Sequence, residues 1–235
     1  ILAAMGAAWT PQFFERDEAE STLVALLTVT MGYWQLAPLA TMSMGASLEM
    51  RRLARFPVST PTLFGFECAL RLWSGLDLAL LLAGFYVGLL VAPWSSAGGA
   101  TLGIGLFLAL NVFLSAGIRN WAERIVRRRH MQEAFLFAGI SFFSLPWALA
   151  GTEIGEWIEA GGLAGLGQLL ASTPVGSAAR LGTGAGGWAD AAELSAVTAA
   201  AFAFGYFAFR GWLRKSTTAS ADSMGPPPRG LRAVL

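Results

Sequence analysis

Very few side chains in this sequence of 235 residues could carry out chemistry, and they lie far apart. A single histidine, His130, and a single cysteine, Cys68, leave no pair of these residues to share a metal ion or to form a disulfide. The phosphate-binding pattern Gly-x-x-x-x-Gly-Lys-Ser/Thr does not occur, so ATP hydrolysis is not expected on this chain. We therefore predict no catalytic residue, no metal site and no cofactor, and we do not expect the chain to be an enzyme.

Three polar side chains, Gln35, Asp77 and Asn111, stand within long apolar runs. Asp77 could contact a substrate or relay protons. Its place near one end of its run instead favours an ion pair, with Arg71 or with a donor on a neighbouring helix. Gln35 and Asn111 could line a pathway, but we favour a role in hydrogen bonds between helices. Glu67 lies one helical turn before Arg71, and we predict that the two pair.

These residues would be positioned by five apolar runs, each close to the length that a helix needs to cross the hydrocarbon core of a bilayer. Hydrophobic residues make up 55% of the chain and charged residues 13%, against about 25% charged in an average soluble domain. Ile1–Trp9 could be the end of a preceding span, which would make six in the intact unit. The sequence thus predicts an all-α, polytopic membrane helix bundle with spans at Thr22–Leu48, Leu70–Val91, Thr101–Ile118, Ala134–Ala150 and Leu194–Phe209.

The basic residues follow every second run, and this alternation predicts the orientation, since Lys and Arg are retained on the cytoplasmic side. Two segments would be external: residues 92–100, which carry no charge, and residues 151–193, which are Gly-rich and acidic. Residues 1–215 would form one transmembrane domain and residues 216–235 a disordered cytoplasmic tail or linker. The net charge of +1 gives no indication of nucleic-acid binding. The basic groups are Arg51, Arg52 and Arg55; Arg119, Arg124 and Arg127–Arg129; and Arg210, Arg214 and Lys215.

Two pairs of glycines have the spacing that lets helix backbones approach closely. Gly84 and Gly88 are predicted to pack within the second run and are a candidate for a subunit interface. Gly99 and Gly103 are predicted to pack at the start of the third run. In the external region we expect a short helix at residues 154–170 that ends before Pro174.

The connection between the first two runs, Glu49–Arg71, is neither a simple loop nor a span. Its arginines recur every three or four residues, so a short interfacial helix would carry them on one side. Pro57 would end that helix because its ring blocks the preceding turn. Ser59 or Thr60 would cap the next helix, with Pro61 in its first turn. The sequence therefore predicts a basic elbow on the cytoplasmic side.

The elbow is one of five stretches that carry a family resemblance: Leu48–Ser59, Leu63–Glu67, Asn111–Arg119, Arg127–Ala134 and Phe207–Arg210. Together they resemble the permease subunits of ABC transporters of the type-2 exporter family. The resemblance implies a separate ABC ATPase subunit and a second permease copy or half as partners. It also implies contact with membrane lipids and a multi-pass location in a bacterial plasma membrane. The residues that would couple to the ATPase are Glu49, Arg51, Arg52, Arg55, Phe56 and Pro57.

The function expected from this resemblance is that of a membrane-spanning permease subunit of an ATP-driven exporter, which moves its substrate by alternating access. In related exporters, helices between the last two spans often close the outer mouth, and the external region could form such a gate. An accessory or scaffold membrane protein would share this topology without needing an ATPase. A membrane enzyme would need a cluster of His, Asp or Glu at the membrane edges. The sequence has no such cluster there, and this lack argues against that alternative.

Overall fold

The computed structural model describes residues 16–40, 58–125 and 170–223 of the chain. Every regular element in these ranges is a helix, which confirms the all-α expectation for the residues they cover. Their helices are α1 (Arg16–Ala40), α2 (Thr60–Ser74), α3 (Leu76–Val91), α4 (Ala97–Ile125), α5 (Pro174–Gly182) and α6 (Trp188–Ser223).

Two of these helices, α4 and α6, are long and apolar enough to cross a membrane. The relevant parts are Ala97–Glu123 and Trp188–Arg214, each of 27 residues. At 1.5 Å per residue such a helix is about 40 Å long, which exceeds the roughly 30 Å of a bilayer's hydrocarbon core. These two helices contain the third and fifth predicted runs and extend past them at both ends.

The predicted span Leu70–Val91 is not one straight helix. α2 and α3 are each too short to cross alone, and together they are long and apolar enough, but they meet at Gly75 with a bend of 75°. The ring of Trp34 on α1 lies against this bend and is 2% exposed. A Cβ atom on Gly75 would lie 2.8 Å from Cζ2 of Trp34, so a residue without a side chain allows the ring to be buried there.

The prediction of five full spans is not confirmed. In the described part of the chain, the candidates are α4, α6 and the bent pair of α2 and α3. α1 covers most of the first run, Thr22–Leu48, but is not among the helices apolar enough to span over its described length. The run Ala134–Ala150 and the segment Ile1–Trp9 lie outside the described residues. Residues 216–223, assigned to the disordered tail, are helical because α6 continues to Ser223.

α4 and α6 pack along each other and form the centre of the bundle. The hydroxyl of Thr198 donates to the carbonyl of Leu106 at 3.4 Å. Farther along, a Cβ on Gly205 would lie 2.7 Å from the carbonyl oxygen of Phe113, so the backbones approach closely there. Both contacts advance in the same direction, so the two helices run parallel. The most deeply buried apolar side chains around them are Leu23, Leu27, Leu82, Leu89, Phe107, Leu110, Leu194 and Phe209.

The short helix α5 packs against α1, α4 and α6 and runs antiparallel to α4. A Cβ on Gly103 would lie 2.7 Å from the carbonyl oxygen of Ala178, and Gly99 meets the carbonyl of Leu181. The prediction that Gly99 and Gly103 are packing positions is therefore confirmed. The helix expected at residues 154–170 lies outside the described residues except for residue 170, which is helical together with residue 171. Helix ends there before Pro174, as expected, but Pro174 also begins α5, a helix that the sequence did not predict.

Candidate functional site

The predicted coupling residues Glu49, Arg51, Arg52, Arg55, Phe56 and Pro57 lie outside the described residues. The described part of the chain resumes at the start of the next helix. Ser59 caps α2, and its hydroxyl accepts a hydrogen bond from the amide of Thr62 at 3.4 Å. Pro61 occupies the first turn of α2, where its missing N–H has no intrahelical partner to lose. The predicted start of this helix is thus confirmed.

The buried face of α2 begins with an aromatic contact. Phe64 is 4% exposed, and its ring packs against rings from both α4 and α6. Its ring centroid lies 6.4 Å from that of Phe113 on α4 and 5.7 Å from those of Phe202, Tyr206 and Phe209 on α6. Most of these pairs have the edge-on or tilted geometry that aromatic rings prefer. One side chain thus joins α2 to the two longest helices.

One turn farther along the same face, α2 carries two buried charges. The guanidinium of Arg71 donates to Oε1 of Glu67 through Nε at 2.9 Å and through Nη2 at 2.6 Å. This confirms the predicted pair. Arg119 and Glu123 on α4 pair with each other at 3.1 Å. Both act electrostatically on Arg71, Arg119 by repulsion and Glu123 by attraction. We call these four residues the four-charge cluster.

α6 is also bound to the four-charge cluster. The indole N–H of Trp212 donates to Oε2 of Glu123 at 2.7 Å. The cluster holds two positive and two negative charges, so its charges balance. The Glu67–Arg71 pair follows Phe64 along the same face of α2, and the Phe64 ring contacts hold this face against the C-terminal parts of α4 and α6.

Gln35 and Asn111, two of the predicted polar residues, are brought together by the structure. Nε2 of Gln35 donates to Oδ1 of Asn111 at 3.1 Å, which links α1 to α4. Asn111 is fully buried, and its amide group donates to the carbonyl of Phe107 at 2.8 Å. Oε1 of Gln35 and the hydroxyl of Ser115 are buried and have no hydrogen-bond partner among the described residues. The contact therefore has hydrogen-bonding capacity that the described residues do not use.

Asp77 is placed differently from our expectation. It is exposed in the first turn of α3, just after the bend, and Arg71 pairs with Glu67 instead. Among the described residues, Asp77 makes no hydrogen bond or ion pair. A carboxylate at this position still interacts favourably with the dipole at the start of the helix. Of the two glycines on α3, Gly88 is buried and Gly84 is half-buried.

A second polar cluster holds α5 at the opposite end of the bundle. Nε of Arg180 donates to Oδ1 of Asp190 at 2.8 Å, and Nη2 donates to the hydroxyl of Ser177 at 3.1 Å. Ser177 in turn donates to Glu193 at 2.8 Å, and Arg180 also reaches the carbonyl of Ala171. We call this set the Arg180 cluster. This cluster was not predicted from the sequence, although Arg180 is the single basic residue in the acidic stretch 151–193.

An apolar cavity lies between α1, α4, α5 and α6, with a volume of about 440 Å³. Two lining residues, Ala200 and Phe204, are exposed, so the cavity opens beside α6. The hydroxyls of Thr28 and Thr173 already donate to backbone carbonyls at 2.8 Å and 2.5 Å. In the described part of the chain, the lining residues are Thr28, Met31, Leu110, Leu114, Leu170, Thr173, Pro174, Val175, Val197, Ala200, Ala201 and Phe204.

The described residues contain no group of three or more His, Cys, Asp or Glu side chains that could hold a metal ion. No protein-family model matches this chain, and comparison with curated proteins and with solved structures likewise gives no match. The function is therefore inferred from the geometry of the chain's own residues. The features from which we infer it are the Phe64 contacts, the four-charge cluster, the Gln35–Asn111 hydrogen bond, the Arg180 cluster and the apolar cavity.

Proposed function

We propose that the chain is the membrane-spanning permease subunit of an ATP-driven ABC exporter, working with a separate ATPase subunit and a second permease copy or half. The observation that carries this proposal is the attachment of α2. This helix begins at Thr60, directly after the elbow that would bind the ATPase subunit. On its buried face, the ring of Phe64 packs against rings of α4 and α6. The Glu67–Arg71 pair on the same face is subject to the charges of Arg119 and Glu123 on α4. A displacement of the elbow would therefore act on both candidate spans.

The proposed membrane location is supported by the surface of the bundle as well as by its helices. Large apolar side chains are exposed on α2, α3 and α6, as expected for a surface that contacts lipid. Arg119 and Arg210 lie toward the C-terminal parts of α4 and α6, and by the positive-inside rule their charges support a cytoplasmic side for those parts. The Arg180 cluster then lies toward the external side. Examples of the exposed apolar residues are Trp73, Val87, Val91, Phe202 and Phe207.

In the proposed mechanism, nucleotide-driven closure of the ATPases moves the elbow and tilts α2 about the bend at Gly75. The Phe64 contacts and the four-charge cluster pass that movement to α4 and α6. The Gln35–Asn111 hydrogen bond keeps α1 with α4 during the movement. The Arg180 cluster holds α5 between the helices at the external end, so α5 acts as the outer gate that must release for transport.

The orientation is tested by cysteine labelling. Replacing Cys68 with serine gives a cysteine-free background, since the chain has one cysteine. Into this background we would place Val58→Cys, just before α2, or Gly187→Cys, where a Cβ meets no atom within 4 Å. A membrane-impermeant maleimide should label Gly187→Cys in intact cells and Val58→Cys only after permeabilisation. Labelling of Val58→Cys from outside would overturn the proposed orientation.

The coupling is tested on full-length, affinity-tagged protein isolated in mild detergent from its own host. The measured quantity is vanadate-sensitive ATP hydrolysis that co-purifies with the protein. The triple change Arg51→Glu, Arg52→Glu and Arg55→Glu should abolish it, because reversed charges would repel the surface that the arginines bind. The matched control, Lys at the same three positions, keeps the charge and should retain most of the activity.

Two results would contradict the permease proposal. One is an absence of co-purifying ATP hydrolysis in the unmodified protein. The other is an activity that survives the charge reversal unchanged. The first result would favour the accessory or scaffold membrane protein, which has no need of an ATPase. The second would show that Arg51, Arg52 and Arg55 do not bind the ATPase and would remove the proposed coupling through the elbow.

A further inference from the structure

We propose that the apolar cavity between α1, α4, α5 and α6 binds one acyl chain of a membrane phospholipid. This inference rests on the membrane location in the proposed function, but it is independent of the ATPase. A volume of about 440 Å³ falls within the range of about 300 to 1,000 Å³ that is usual for ligand-binding cavities. The occupant is inferred from the lining, the depth and the opening of the cavity.

The lining favours a ligand without polar groups. None of the described residues that line it carries a charge. Two of these residues, Thr28 and Thr173, have hydroxyls, which already donate to the carbonyls of Val24 and Leu170. A polar ligand would lose its hydrogen bonds to water and gain little in return. Water is also disfavoured, since apolar cavities stay dry and are filled by apolar molecules.

The depth of the cavity matches the part of the bilayer where acyl chains are found. Leu110, which lines it, is at the middle of the candidate span Ala97–Glu123. The cavity would therefore lie near the centre of the hydrocarbon core, about 15 Å from either boundary of that core. Only an aliphatic chain is abundant at this depth. An unfilled space of this size would also deprive the lining side chains of van der Waals contacts.

The opening provides a route from the surrounding lipid. Ala200 and Phe204 form the exposed part of the lining, and Phe207 lies one turn beyond Phe204 and is 64% exposed. These three residues recur at spacings of four and three, so they lie on one face of α6. An acyl chain can follow this apolar face and enter beside Ala200. The opening thus faces the surface that the proposed function assigns to lipid.

The test uses full-length protein reconstituted in phospholipid bilayers with a phosphatidylcholine that carries a photoreactive diazirine at the end of one acyl chain. After illumination, mass spectrometry locates the adducts. We expect adducts at Met31, Leu110 and Leu114, which line the cavity. A second phosphatidylcholine, with the diazirine next to the headgroup, should not label these residues, because its reactive group cannot reach that depth.

Three variants on α6 make the test specific. Ala201→Phe fills the cavity from a buried lining position, and Ala200→Phe fills its mouth from an exposed one. Either ring should displace about two methylene groups of the chain and lower labelling at Leu110 on the order of tenfold. Ala199→Phe is the matched control, since Ala199 is exposed and does not line the cavity. It should label like the unmodified protein.

The inference is overturned if no adducts form at the cavity residues. It is also overturned if Ala200→Phe and Ala199→Phe give the same labelling at Leu110. Ala200→Phe keeps the test valid if Ala201→Phe fails to fold, because its side chain starts from an exposed position. The outcome can be separated from that of the proposed function. Labelling needs no ATPase, so cavity adducts without co-purifying ATP hydrolysis would refute the permease proposal alone. Hydrolysis without adducts would refute the acyl-chain site alone.

Discussion

Nε2 of Gln35 donates a hydrogen bond to Oδ1 of Asn111 at 3.1 Å, and this contact joins α1 to α4 inside the bundle. The Asn111 amide group is directed to its own helix, where it donates to the carbonyl of Phe107. Its oxygen is the atom that accepts the bond from α1. An asparagine in an apolar run is thus used here to hold two helices together, and its strength can be measured.

We predict a coupling free energy of about 0.6 kcal/mol, and at most about 1.7 kcal/mol, between Gln35 and Asn111. These are the average and the maximum found by double-mutant cycles for hydrogen bonds between helices in a membrane protein. The coupling is obtained from a double-mutant cycle of Gln35→Leu and Asn111→Leu. The measurement is the free energy of unfolding in mixed micelles. The coupling arises because each single change leaves a buried polar group without its partner.

The matched control for this cycle is Asn120→Leu combined with Gln35→Leu. Asn120 is also buried on α4, but its amide group donates to the carbonyl of Ala116 within the same helix. Its coupling to Gln35 should be close to zero. Equal coupling for Asn111 and Asn120 would mean that the cycle reports general perturbation of α4 instead of a direct hydrogen bond.

Gly75→Ala is predicted to destabilise the protein by about 1 to 3 kcal/mol, the usual cost of overpacking. The added Cβ would lie 2.8 Å from Cζ2 and 2.9 Å from Cε2 of Trp34, so the bend or the ring must move. The measurement is again the free energy of unfolding. Gly65→Ala, within α2, is the control, since a Cβ there meets nothing within 4 Å. It should be neutral or slightly stabilising, because Ala favours helix more than Gly does.

The steric origin of that effect can be checked with Trp34→Phe. A smaller ring leaves more room at Gly75, so the combination of Trp34→Phe and Gly75→Ala should be less destabilised than the sum of the two single changes. Strict additivity would contradict the predicted clash between these two positions.

The four-charge cluster gives a third prediction. Glu67→Leu should destabilise the protein by about 3 to 5 kcal/mol, because it leaves the buried guanidinium of Arg71 without its carboxylate. The double change Glu67→Leu with Arg71→Met should recover most of that loss, since replacing both members of a buried ion pair by apolar residues is often neutral. A double variant as unstable as Glu67→Leu alone would argue against the pairing as the cause.

Local signals in the sequence were sufficient to predict where α2 begins, and long apolar runs were sufficient to locate α4 and α6. The start of α2 depends on Ser59 and Pro61, which act within their own turn. The apolar runs underestimated the lengths of α4 and α6, since hydropathy marks the apolar part of a helix and not its ends. The bend at Gly75 depends on Trp34, which is remote in sequence and comes close only in the folded chain.

The helix α5 could not be predicted from hydropathy for a related reason. Its buried residues are mostly small, among them Gly176, Ser177, Ala178 and Ala179, so it forms no apolar run. Small residues are buried here because α5 lies close against the backbone of α4 at Gly103. Its position depends on partners in other helices and on the Arg180 cluster, which a reading of the chain segment by segment does not reveal.

The final prediction concerns the hold of the Arg180 cluster on α5. Asp190→Asn removes the charge that pairs with Arg180 and also weakens the hydrogen bond that the amide of Gly187 donates to Asp190. Backbone amides of α5 should then exchange with deuterium faster, on the order of tenfold, because a charge-assisted hydrogen bond of more than 1 kcal/mol is lost. The measurement is hydrogen–deuterium exchange of the peptide that contains α5. Asp77→Asn removes an equal charge from an exposed site without a partner among the described residues, so it should leave that exchange unchanged. If both variants accelerate exchange equally, the exchange of α5 depends on net charge and not on the Arg180–Asp190 pair. That result would contradict the proposal that the Arg180 cluster holds α5 as the outer gate.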